Sequence, residues 1–525
     1  MKKKPTLYVI IFILWGLCLS LLFVSLYFII VNLPIEKYYL RIIAIILLTL
    51  NTLTLGMLWF GSIKDLVFSC AYALLRHNLL NRYDVINKIN VPNDYNPRFA
   101  LLYCTRNDFN ANSLKECMKQ DYNNFKVVIL DDSDDPIYLN EIDEFSKINN
   151  VEVIRRKNKT GFKAGNLNNY LKGREDYDYF VVLDSDEIIP NNYIKKVIKY
   201  FIYNKNCGAV QARHKATLGH NIFQRLLGMS VGSNGKSTQV IKNFYGSNAL
   251  IGHGMTISKE CYKKTRGFPL VVAEDISFAA DIRNNGFDII YAPDIECYEE
   301  FPINYLSLKK RQCKWTQGNL EYMKKYNKEI SNCKMLWYEK LDMKLSHYSL
   351  PIVPLLSFSL IIFTIILGFI GYPIIHYSIF IYCLMLLFLC SPLIPDLFVY
   401  NKDKNFILIV PYFLLNIVTY ASLAPMMIKT VILGLFGKKA SFAVTPKNDE
   451  KFSFIQAIDG SMDSIMFGLI ILMLSIVSCN SFIPVSLIVI SSFLAPFVIL
   501  LSNIHLNNKE RKNNKDKKLS KEFSR

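Results

Sequence analysis

At 525 residues with 51% apolar side chains, the chain is too apolar for an ordinary soluble enzyme and too polar for a pure transporter. The apolar residues fall in blocks, which implies a soluble domain set between membrane segments. The net charge of +18 lies largely beside those blocks, so it reads as anchoring on the cytoplasmic side of a bilayer and not as a nucleic-acid surface.

Residues 7–35 and 42–63 carry no charged side chain, and each is long enough to cross a hydrocarbon core of about 30 Å. The first is too long for a cleaved signal peptide and has no small-residue cleavage site. Residues 1–63 therefore form two N-terminal spans. Residues 64–97, with Lys64, Arg76 and Arg82, read as an amphipathic cytosolic connector. After a polar middle domain over 98–335, residues 345–397 provide two more spans, turning near Gly368, Gly371 and Pro373. Residues 405–437 are interrupted by Pro411 and Pro425 and are predicted to form an interfacial or re-entrant helix. A cytosolic loop follows at 438–463, then two spans over 464–504 that break near Asn480 and Pro484. Lys2 to Lys4 and the basic tail over 505–525 place both termini in the cytoplasm by the positive-inside rule. The predicted layout is a multi-pass plasma-membrane protein of about six spans, two before the domain and four after.

The middle domain reads as α/β. Phe99–Cys104, Lys126–Leu130, Val151–Ile154, Tyr179–Leu183 and Ala209–Gln211 are short buried-strand patterns, and Ser113–Met118 and Tyr193–Ile202 carry helical periodicity. Such alternation implies a mainly parallel sheet that binds ligands at the carboxyl ends of its strands. The cysteines form no C-x-x-C pair and match no zinc spacing with histidine, so they read as reduced small residues.

Acidic residues stand at three predicted strand ends: Asp131-Asp132, Asp184-Ser185-Asp186, and Glu274-Asp275, which follows Val271-Val272-Ala273 and heads the helical stretch Ile276–Arg283. A single Asp at a strand end is commonly a cap or a turn former; three such sites in one domain point to chemistry. A D-x-D turn can hold a hard divalent cation through oxygen ligands. Such a cation neutralises charge on a departing diphosphate. A carboxylate across the cleft, here Asp275 with Glu274 alongside, can take the proton of an attacking hydroxyl.

These residues resemble the processive, inverting family 2 glycosyltransferases: cellulose, chitin and hyaluronan synthases and the bacterial membrane glucan synthases. The resemblance covers about residues 98–450. It implies a GT-A (Rossmann-like) cytosolic domain inserted in a helical transmembrane bundle. Thr105-Arg106-Asn107-Asp108 is similar to the family's nucleotide loop, and Asp131 and Asp132 to its uridine-contacting aspartates. Lys163 opens a loop similar to Lys-Ala-Gly-x-x-Asn, near the nucleotide. Asp184 and Asp186 match the metal motif, for Mg2+ or Mn2+, and Gly246-Ser247-Asn248 the loop near the acceptor sugar. Ala273-Glu274-Asp275 stands where the family has Thr-Glu-Asp, which implies Asp275 as the base. Arg311-Gln312-Cys313-Lys314-Trp315 departs from Gln-x-x-Arg-Trp. Arg311 and Lys314 are expected at the diphosphate, Lys314 without a bidentate fork, and Trp315 at the acceptor. That variant leans towards the glucan synthases. Ser441 to Lys447 is similar to a Phe-x-Val-Thr-x-Lys gating loop, with Thr445 and Lys447 reaching the diphosphate and Phe442 anchoring the lid.

The partners implied are a UDP-sugar donor, a growing polysaccharide and the lipid bilayer, with secretion accessory proteins or a homo-oligomer as further classes. His214 and His253 read as ordinary loop or core histidines, and Glu299-Glu300 reads equally as a channel mouth or as lysine partners. Two other readings compete with a polymerase: a single-transfer enzyme acting on a lipid-linked acceptor, and a channel with a non-catalytic binding domain.

Overall fold

The computed structural model describes residues 3–217, 219–400, 409–438 and 450–506. The chain enters through helix α1, Thr6–Val31, and returns along α2, Tyr38–Asn87. At 1.5 Å per residue, the 50 residues of α2 reach about 75 Å, far beyond a bilayer core of about 30 Å. The second span and the predicted connector are thus one rod. No proline occurs between Pro34 and Pro92 to break it.

The middle domain is a seven-stranded sheet ordered β3-β2-β1-β4-β6-β5-β7. Its strands are β1 Phe99–Thr105, β2 Phe125–Asp131, β3 Glu152–Arg155, β4 Tyr179–Asp184, β5 Cys207–Ala216, β6 Met255–Ser258 and β7 Asp288–Glu299. All run parallel except β6, which is antiparallel to both neighbours. Each face is covered. Leu101, Tyr103, Ile129, Val181 and Leu183 pack into one core, while Leu102, Val128, Leu130, Phe180 and Val182 pack into another. Burial on both faces explains why β1, β2 and β4 are continuous apolar runs with no polar alternation.

Two strands were not legible. β6 is only four residues long, and β7 contains Pro293. The register jumps there, from Ala212 opposite Ala292 to Arg213 opposite Glu296, so the proline sits in a bulge where it takes no ladder bond. One predicted strand is absent. Val271 to Ala273 form a bend and turn, and Glu274 opens helix Glu274–Asn284.

Four helices matter for the site. They are α3 Phe162–Leu171, α4 Thr238–Tyr245, α5 Glu274–Asn284 and α6 Tyr305–Asn332. The chain then re-enters the apolar bundle as α7, Trp337–Phe369. Among the described residues, seven helices are long and apolar enough to cross a membrane, one more than the predicted six. The addition is α8, Ile409–Leu435, in the stretch expected to be interfacial or re-entrant. Pro411 lies in its first turn, where no backbone N–H is required, and Pro425 is carried inside the continuous helix. This helix packs along α6: Tyr305 Oη lies 2.9 Å from Ser422 Oγ, and Lys324 Nζ donates to the Gly434 carbonyl at 2.8 Å. The predicted loop at Ser441 to Lys447, with Thr445 and Lys447, and the basic tail beyond Leu506 lie outside the described residues.

Candidate active site

Strand register builds the donor side of the site. Thr105 pairs with Asp131, and Cys104 with Asp184, so three strand ends place their polar residues along one carboxyl edge. A cavity of about 840 Å3 opens over that edge. Thr105, Asp108, Asp132, Asp184 and Asp186 line it from the strand ends, Lys163 from α3, and Glu274, Asp275, Arg311, Lys314 and Trp315 from α5 and α6.

The turn after β1 is tied to the D-x-D turn. Asp108 Oδ1 accepts from Thr105 Oγ1 and from the Arg106 N–H, both at 2.9 Å, and its Oδ2 accepts from Ser185 Oγ at 2.5 Å. Asn107 faces the other way. In a left-handed conformation (φ 55°), its side chain accepts the Asp134 and Asp135 N–H groups at 2.9 and 3.0 Å. Asn107 therefore shapes the loop from outside the cavity wall.

The two aspartates after β2 are held by arginines the sequence reading passed over. Arg156 grips Asp132 with a fork, Nε to Oδ1 at 2.9 Å and Nη2 to Oδ2 at 2.6 Å. Arg155 Nε bonds Asp131 Oδ2 at 2.6 Å. Asp131 is buried behind the cavity wall. The signal was present: Arg155-Arg156 ends β3, whose residue Arg155 pairs with Asp131.

Lys163, on the first turn of α3, bonds Asp184 and donates to the Gly252 carbonyl at 2.7 Å. Burial opposes the charge on Asp184, but Lys163, with His253 nearby, outweighs it and holds the carboxyl down at about 2. Asp186 Oδ2 accepts the Glu300 N–H at 3.0 Å, which pins the turn to the end of β7. The two carboxylates thus offer hard oxygen donors at the cavity wall, with Asp184 ionised; that donor set fits a divalent cation.

Opposite them, Glu274 and Asp275 occupy the first turn of α5, where the helix dipole favours negative charge. The Asp275 Oδ1 accepts the Ile276 N–H at 2.8 Å. Burial raises the pKa of both carboxyls, and for Glu274 the neighbouring Asp275 charge adds to the rise. Gly252 runs directly beside the pair, since a Cβ on it would lie 3.3 Å from Asp275 Oδ2. Burial lowers the pKa of the Lys314 ammonium, against the pull of Glu274 and Asp184.

Arg311 and Trp315 are one helical turn apart. The Arg311 guanidinium lies 4.6 Å from the Trp315 ring and 4.7 Å from the Phe301 ring, so it is stacked between two aromatics. Trp315 remains 45% exposed, leaving surface free to cover a ligand. Gly246, Ser247 and Asn248 do not reach the cavity; Ser247 and Asn248 are buried one layer behind, and the wall is made by Ala249 to Gly252.

His214 and His253 belong to an ion-pair clamp. Their rings stack 4.2 Å apart, 21° from parallel. Glu299 Oε2 lies 3.2 Å from His214 Nδ1 and 3.0 Å from His253 Nε2, and Glu187 Oε1 lies 3.3 Å from His253 Nδ1. Burial opposes the His253 charge, but Glu187 and Asp184 outweigh it and raise its pKa well above the usual value. Glu187, His214 and His253 are close enough together for a metal cage. Near-parallel rings, however, cannot both aim an in-plane lone pair at one ion.

Residues 179–400 match the model of the glycosyl transferase family group 2. The matched segment contains the D-x-D turn, both α5 carboxylates and Trp315. Among curated proteins, the chain is 28% identical over 224 residues to glucomannan 4-beta-mannosyltransferase 1 of Cyamopsis tetragonoloba. The alignment covers 40% of this chain and 42% of that relative, so the chain spans under half the relative's length. Among solved structures, it is similar to the mannosyltransferase PcManGT from Pyrobaculum calidifontis in complex with GDP-Man and Mn2+. The identity is 18% and the TM-score 0.43, over 73% of this chain and all of that one. It is also similar to S. aureus TarS at 16% identity and a TM-score of 0.35, covering 57% of this chain and 55% of that one.

Proposed function

We propose that this protein is an inverting glycosyltransferase of GT-A type that draws on a UDP-sugar, extends a β-linked polysaccharide and passes it between its membrane helices. One observation carries the reading. The cavity that holds Asp184, Asp186, Lys163 and Asp275 continues past Ala249 to Met57, Leu58 and Gly61 on α2 and Ile352, Val353 and Leu356 on α7. A reaction site that opens directly between two apolar helices suits a product leaving through the membrane.

In this reading the acceptor sugar stacks on Trp315 and presents a hydroxyl to Asp275. The carboxylate takes the hydroxyl proton as the oxygen bonds the donor's anomeric carbon, and the bond from that carbon to the diphosphate breaks. Lys163 and Lys314 stand beside the leaving diphosphate. Asp184 and Asp186 would hold Mg2+ or Mn2+, which when bound neutralises diphosphate charge. Asp132 with Arg156, and Thr105 with Asp108, shape the nucleotide end. In this reading α8 lies along α6 without crossing, so six spans leave the catalytic domain and both termini in the cytoplasm of a plasma-membrane protein. The Arg311-x-x-Lys314-Trp315 variant makes a glucan the first product to test.

The experiment is to supply the full chain in lipid with each UDP-sugar, and with a mannose donor, plus Mg2+ or Mn2+. A long product digested by the matching glycanase supports the proposal. Single additions to a lipid-linked acceptor would replace it with a non-processive transferase. No nucleotide release with any donor, from wild type and Asp275→Asn alike, would leave a non-catalytic binding domain.

A further inference from the structure

The Gly246–Asn248 loop, a predicted acceptor element, is held from the membrane side, and its grip is concentrated on one peptide group. The N–H of that peptide, on Ser247, donates to Asp342 Oδ2 at 2.8 Å. Its carbonyl, on Gly246, accepts from Lys3 Nζ at 2.9 Å. Asp342 is fully buried near the start of α7 and gathers three more partners. Tyr8 Oη of α1 donates to Oδ1 at 2.6 Å, Lys64 Nζ of α2 lies 3.7 Å from Oδ1, and Lys242 Nζ of α4 lies 3.5 Å from Oδ2. One turn earlier on α7, Glu339 takes Lys3 at 2.6 Å and Arg283 of α5 at 2.9 Å. Three apolar helices therefore converge on a single backbone amide.

The fit leaves no slack. A Cβ on Gly246 would lie 2.4 Å from Asp342 Oδ2, so only glycine allows the carboxylate to approach. From Ser247 the chain runs four residues to Ile251, whose N–H donates to Gln211 Oε1 at 2.8 Å, and then to Gly252, which receives Lys163 and passes beside Asp275. A shift of Ser247 would reach the base through Ala249 and Leu250, up to the point where Gln211 of β5 holds Ile251. It leaves the arginine-held aspartates at the other end of the cleft alone.

We infer that Asp342 is a positioning residue: it sets the acceptor-side wall, Ala249–Gly252, from the membrane helices, while donor binding is set by the sheet. This role rests on the sugar-transfer reading of the cavity. It predicts that weakening the grip uncouples the reaction, so that an activated donor loses its sugar to water instead of to the acceptor.

The test uses the full chain in lipid with the donor that wild type turns over, reading transfer to acceptor and donor hydrolysis separately. Tyr8→Phe removes one hydrogen bond and no charge, and Asp342→Asn removes the charge while keeping the shape. Transfer is expected to fall about tenfold or more in Asp342→Asn and less in Tyr8→Phe. Acceptor KM should rise while donor KM stays within about twofold and hydrolysis persists. Should Asp342→Asn fail to fold, Tyr8→Phe carries the test. Parallel loss of transfer and hydrolysis, or no change in either variant, overturns the role and leaves the transferase reading intact. Wild-type protein that turns over no nucleotide-sugar overturns both.

Discussion

The two ends of the cleft are built differently. At the donor end, Asp132 is held by Arg156, Asp184 by Lys163, and Asp108 by Thr105 and Ser185. Those partners lie within about eighty residues of each other and are aligned by one run of parallel strands. At the acceptor end, Ser247 is held by Asp342, and Asp342 by Tyr8, across 95 and 334 residues of sequence. The nucleotide end is held by the sheet and the segments that directly connect its strands, with Lys314 added from α6. The acceptor end exists only once the membrane helices have packed against the domain.

The largest effect that would test this contrast is metal removal. Stripping divalent ions is expected to reduce nucleotide release to background, and Mn2+ or Mg2+ to restore it. Retention of full activity after chelation would remove Asp184 and Asp186 from the donor end. Next, Asp275→Asn, between the two ends, is expected to lower turnover by roughly 10²–10⁴-fold, the span of a lost general base, with donor affinity unchanged in a binding assay. Arg156→Ala strands the buried Asp132 carboxylate and is expected to cost about 3–5 kcal/mol of stability, read as a lower melting temperature. An unchanged melt would mean the donor end is held by something other than this fork. Trp315→Ala should raise acceptor KM about tenfold, worth about 1.4 kcal/mol, with donor KM unmoved; a rise in donor KM would blur the contrast. The smallest effect is in pH. Asp275 accepts a proton only when ionised, and burial raises its pKa. Activity should therefore fall on acidification at a pH above the ordinary carboxylate range, and Asp275→Asn should lose that limb of the kcat/KM profile.

Several features were legible because they are local. The apolar runs of β1, β2 and β4 are buried on both faces, and their ends carry the acidic residues by construction. For the Glu274-Asp275 pair, the expected strand before it is absent, while the expected helix does begin there, and the carboxylates enter the cavity on the first turn of α5. Gly246 to Asn248 were read as acceptor contacts, whereas they anchor the wall from behind. Glu187 and Asp342 have nothing in their own neighbourhoods to mark them, and Arg156 is marked only by its place after a strand; each matters through a partner 24 or more residues away.

By itself, the sequence determined the apolar blocks, the α/β character of the middle domain, and which strand ends carry carboxylates. Side-chain periodicity and charge are written residue by residue, and backbone geometry converts them directly into faces and edges. Only the tertiary structure decided that α2 is a single rod, that Ile409–Leu435 is one continuous helix along α6, and that a carboxylate from α7 sets the wall beside Asp275. Those outcomes depend on long-range packing and buried ion pairs, which form between segments that carry no local record of each other.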